Sequence, residues 1–115
     1  MPRLTGNQRE TFEALRQAYL AEVPARIAAI REVALRLGRR GATRGDLEEL
    51  RTLVHRLVGS SAIFGLQELS ASARALEDLT TQLLEGSDRS ASELDSLAAA
   101  LEATWAAGTA FPRSE

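Results

Sequence analysis

The sequence predicts an all-α fold, an antiparallel up-down four-helix bundle, on three observations. Apolar residues recur at three- and four-residue steps in four separate stretches, the spacing that gathers them on one helix face. Short segments carrying Gly, Ser or Asp separate the stretches, so consecutive helices must fold back on one another. Ala and Leu dominate a chain with only 4% aromatic residues and no strand-like alternation, which favours helices packed through small and straight-chain side chains. At 115 residues the chain supports one continuous core. We read 1–115 as a single domain, with 1–6 and 109–115 as loose ends.

In the first helix, Asn7 followed by Glu10 reads as a capped start. Phe12, Leu15, Tyr19, Val23, Ile27, Ile30, Ala34 and Leu37 then form one stripe along about eight turns. Pro24 removes a donor and crowds the carbonyl of Leu20, so a kink or brief break is expected there. The stripe keeps its phase across Pro24, which leaves both pieces on one core face. Gly38 reads as the C-cap, and Gly38 to Gly45 as a loop in which Arg39 and Arg40 are solvated.

Thr43 or Asp46 can cap a second helix over about 45–64, with Leu47, Leu50, Val54, Leu57 and Ser61 inward and Leu53 and Val58 flanking. Gly65 ends it. The third helix, about 66–84, turns Leu66, Leu69, Ala73, Leu76, Leu79 or Thr80, and Leu83 inward, and Ala71, Ala73 and Ala75 permit close helix approach. After the turn Gly86-Ser87-Asp88, Ser90 with Glu93 reads as a capping box. A fourth helix follows along Leu94, Leu97, Leu101 and Trp105, closed by Gly108. Trp105 is expected to fill the bundle end, and Tyr19 to pack between helices with its hydroxyl at the surface.

Composition excludes several kinds of function. There is no cysteine, so disulfides, thiolate metal sites and cysteine nucleophiles are ruled out. The formal charge is −2 with both signs interspersed, which gives nucleic acid or an anionic membrane nothing to hold. No apolar run approaches membrane-spanning length, and the expectation is a cytoplasmic protein. All fourteen basic residues are arginine, which we read as coding bias. No glycine-rich phosphate loop, Walker-type lysine or nucleotide-binding fingerprint occurs, so no ATP site is expected.

One stretch stands apart, His55-Arg56-Leu57-Val58-Gly59-Ser60-Ser61-Ala62-Ile63-Phe64-Gly65. It holds the single histidine of the chain, and one turn later a glycine that costs a helix interior about 1 kcal/mol relative to alanine. Helical phase puts His55 roughly 130° from the centre of the apolar stripe, facing solvent or the bundle rim. Arg51 and Gly59 lie one turn to either side, Thr52 and Glu48 are close, and Arg56 lies further round. A lone histidine has no second ligand for a metal site, so none is expected. Ser60 and Ser61 point to other sides of the helix, which rules out a nucleophile triad.

His55-Arg-Leu-Val-Gly-Ser-Ser-Ala-Ile-Phe-Gly65-Leu66-Gln-Glu-Leu69, continuing to Leu76-Glu77, resembles the signature of histidine-containing phosphotransfer (HPt) domains. That signature reads His-x-Leu-Lys-Gly-Ser/Ala, a glycine ten residues past the histidine, Leu-x-x-Leu and a later Leu-Glu. The segment Tyr19 to Ile30 is also similar to the family's first helix. The resemblance implies that His55 takes a phosphoryl group from a receiver-domain aspartate or a histidine kinase and passes it to another receiver. It implies no cofactor on this chain, because the receiver would bring the Mg²⁺ and the acidic pocket. Gly59 then gives clearance to the partner, with Thr52 and Arg56 on the docking face. One position departs: Val58 stands where the family has lysine, and coding bias would have given arginine. Arg51, on nearly the same face as His55, is the candidate to offset phosphoryl charge, with Arg56 poorer by phase. Glu77 matches the position from which a polar side chain orients the imidazole. The alternative reading is an HPt-like adaptor that binds a kinase or receiver without carrying phosphate.

Overall fold

The computed structural model describes residues 6–41, 43–87, 89 and 91–110. Four helices follow in order: α1 Gly6–Arg40, α2 Arg44–Ile63, α3 Gln67–Leu84 and α4 Ser92–Ala110. Each packs on its neighbour in sequence, and α4 returns to α1, closing the ring of an all-α four-helix bundle. Val23, Ile30, Leu37, Leu50, Leu57, Leu76, Leu79, Leu94 and Leu101 fill the core between them.

α1 runs through Pro24 as one 35-residue helix, so the expected break does not occur. Pro24 sits on the exposed face and Leu20, whose carbonyl loses its donor, is only half-buried, so water can reach that carbonyl. Tyr19, Val23, Ile27 and Ile30 are buried on both sides of Pro24. Burial worth roughly 1.5–3 kcal/mol per large side chain outweighs the proline's cost of about 3 kcal/mol.

Other boundaries also differ. α1 begins at Gly6, which places Asn7 inside the first turn rather than before it. Gly38 remains helical, and the turn comes at Gly41, whose φ of 88° suits glycine and whose N–H donates to Leu37 O at 3.0 Å. Of the two candidate caps of α2, Thr43 accepts from the Asp46 N–H at 3.2 Å. α4 passes Gly108 and reaches Ala110. Ser90 and Asp88 lie outside the described residues, and Glu93 pairs with Arg89.

Phe12 and Leu15 were expected in the core but are 37% and 56% exposed. α2, α3 and α4 have 20, 18 and 19 residues, and cannot cover the length of α1. In α3 both Leu79 and Thr80 are buried, the latter donating to Leu76 O at 2.7 Å. Ala71 and Ala75 are exposed, so Ala73 alone of the three serves close approach. Trp105 is half-buried against the core.

Candidate functional site

Burial of Leu47, Leu50, Val54, Leu57 and Ser61 turns the opposite side of α2 outward, and the His55 side chain on it keeps 73% of its surface exposed. The reversal at Gly65, with φ 76°, sends α3 back along α2. Two hydrogen bonds fix their register. Ser70 Oγ donates to Val58 O at 3.0 Å, and His55 Nδ1 lies 2.6 Å from Glu77 Oε2. Glu77 is only 16% exposed, so the seam between the helices holds its carboxylate in place. An ionised carboxylate only accepts, so Nδ1 carries the proton of that bond and a neutral ring keeps its lone pair on Nε2.

The other predicted site residues spread along the same ridge. Arg51 and Thr52 join His55 and Glu48 around one shallow depression. The Thr52 hydroxyl is committed to Glu48 O at 3.0 Å, so it offers a visitor its methyl group more than a donor. Gly59 is exposed, and a Cβ built there meets no atom within 4 Å. Arg56 is exposed but stands roughly 100° round the helix from His55, on the side toward α1. Neither Arg51 nor Arg56 forms an ion pair with any described residue. Val58 is 7% exposed and packs into the α2–α3 seam.

One feature had no sequence expectation, and a second corrects one. Ile63, two turns beyond His55 on the same ridge, is 69% exposed; its spacing of eight residues from the histidine was the available signal. Tyr19 Oη lies 2.6 Å from Ser60 Oγ, while its ring stacks on Phe64 with centroids 4.9 Å apart. The hydroxyl thus ties α1 to α2 beside Gly59, instead of reaching the surface as expected. Phe64 in turn carries Phe12, centroids 5.3 Å apart.

Among the described residues no group of three or more His, Cys, Asp or Glu is placed to hold a metal ion. No helix there is long and apolar enough to cross a membrane. No curated protein and no solved structure matches the chain. The sequence model of the Hpt domain family matches residues 14–107, all of α2 and α3 and most of α1 and α4. With a match over well more than half its length, the chain belongs to the Hpt domain family.

Proposed function

We propose that the chain carries a phosphoryl group on Nε2 of His55, between receiver domains or from a histidine kinase to a receiver. Hpt domains are phosphocarriers of phosphorelays that interact with receivers and kinases and have no catalytic site of their own. The observation that carries the reading for this chain is the exposed imidazole whose Nδ1–H is engaged by Glu77. That bond selects the tautomer and aims the Nε2 lone pair outward.

In the forward step Nε2 attacks phosphorus of the receiver's aspartyl phosphate. The P–Nε2 bond forms as the P–O bond breaks, and the aspartate leaves as a carboxylate with the electron pair. The ring becomes a phosphoimidazolium whose remaining N–H stays on Glu77, where the carboxylate offsets its positive charge. Return transfer reverses these bonds. A receiver's carboxylates would hold the Mg²⁺ that offsets phosphoryl charge during in-line transfer, and Arg51 adds positive charge from this side. Gly59 clears the approach, and Thr52, Arg56 and the apolar Ile63 meet the docked surface.

Incubation with a phosphorylated receiver domain from the same genome tests this. The chain is expected to take the label, and His55→Gln to abolish it. A His55→Gln variant that labels undiminished overturns the site. Tight receiver binding with no label on the unsubstituted chain would make it the adaptor instead.

A further inference from the structure

Val58 leaves α2 without a cation one turn past His55, and its burial in the seam leaves no room for one to be hidden there. We infer that Arg74 of α3 supplies that charge, its guanidinium reaching the phosphoryl group on His55 from across the seam; this rests on the carrier reading above. Register places it. Ser70 bonds to Val58 and Glu77 bonds to His55, and Arg74 stands one turn from each of them. It therefore lies alongside the stretch of α2 from His55 to Gly59. Ser70, Arg74 and Glu77, spaced four and three residues apart, share one face of α3. Of the three, Arg74 is the exposed one.

Charge points the same way. Among the described residues Arg16, Arg26, Arg31, Arg36, Arg44 and Arg89 each stand within ion-pair distance of an acid, whereas Arg9, Arg39, Arg51, Arg56 and Arg74 do not, and of these five Arg74 is the one on α3. The Arg74 guanidinium pairs with no described residue, although Glu77 is one turn away. The Glu77 carboxylate is spent on His55 Nδ1, and Asp78, four residues past Arg74 on the exposed side, makes no ion pair with it, which leaves Arg74 open for an anion. A guanidinium suits a phosphoryl group because its planar donors match two oxygens at once. Arg51 and Arg74 then approach the same phosphoryl group from opposite ends of the seam.

The test loads the full chain with phosphoramidate, a donor too small to need docking. The P–Nε2 bond forms as the donor's P–N bond breaks and ammonia leaves. Phosphorus NMR then follows the titration of the phosphohistidine itself. A nearby cation favours the dianion, so Arg74→Gln is expected to raise the phosphoryl pKa by roughly 0.5 and to slow labelling by the anionic donor about threefold. Arg74→Lys keeps the charge and falls between the two. Arg39→Gln, which removes another exposed arginine far along the bundle, leaves the titration unmoved. A titration of Arg74→Gln that coincides with the unsubstituted chain overturns the inference, as does an equal displacement in the Lys and Gln variants. In both cases label on His55 that still exchanges with a receiver leaves the carrier reading standing. An unsubstituted chain that takes no label from either phosphoramidate or a phosphorylated receiver overturns both.

Discussion

Gly59 weakens α2 by about 1 kcal/mol relative to alanine, and nothing among the described residues requires it. A Cβ there would meet no atom within 4 Å, and the residue is not among the glycines with positive φ. On the proposed function, the demand for bare backbone comes from outside, from a partner that lies against α2 one turn from His55. Gly59→Leu is expected to unfold at equal or higher urea concentration, gaining up to about 1 kcal/mol. Phosphoramidate should label it as before, while transfer from a phosphorylated receiver falls by about tenfold or more. Unchanged receiver transfer would leave the glycine without a role. His55 and Gly59 were legible because each is anomalous in its own stretch of helix. Glu77 was legible only through the family pattern, since its bond to His55 spans 22 residues. Arg74 and the Tyr19–Ser60 pair carried no local signal: an arginine on a solvated face and a serine in a helix look ordinary. Their meaning arises when two helices are set in register.

At the scale of the element, α1 shows how far periodicity can be trusted. The phase of Tyr19, Val23, Ile27, Ile30, Ala34 and Leu37 was readable, and all six are buried. Its continuity through Pro24 was not readable, because local rules count the proline's lost hydrogen bond and not the burial on either side. Its end was misread for a related reason. Gly38 and Gly41 are both glycines near the last core residue, and only the fold shows that Gly41 takes the left-handed turn. Since Pro24 is exposed and helical, its replacement removes a cost without touching the core. Pro24→Ala is expected to stabilise the chain by about 1–2 kcal/mol, the helix gain less the extra freedom of the unfolded chain. Urea unfolding measures it, and a loss of stability would mean that α1 uses the proline's geometry.

Across the whole molecule the helices are unequal, and that inequality divides α1 into two regions. A 35-residue helix is about 52 Å long, close to the 51 Å greatest extent of the fold, whereas 18–20 residues give only about 27–30 Å. From Tyr19 onward α1 contributes to the common core; before it, residues 6–15 are all exposed and Phe12 rests on Phe64. The uneven burial predicts uneven stability. Ile30→Ala, at a fully buried site, is expected to cost about 2–5 kcal/mol in urea unfolding, and Phe12→Ala no more than about 1 kcal/mol. Hydrogen exchange should agree, with amides of residues 10–16 opening locally at well below the global free energy and those of 26–36 only with the whole bundle. The overhang projects from the end of the bundle where Ile63 and Phe64 close α2, with Phe12 resting on Phe64. If Phe12→Ala proved as costly as Ile30→Ala, or if both segments exchanged together, the first three turns would belong to the core.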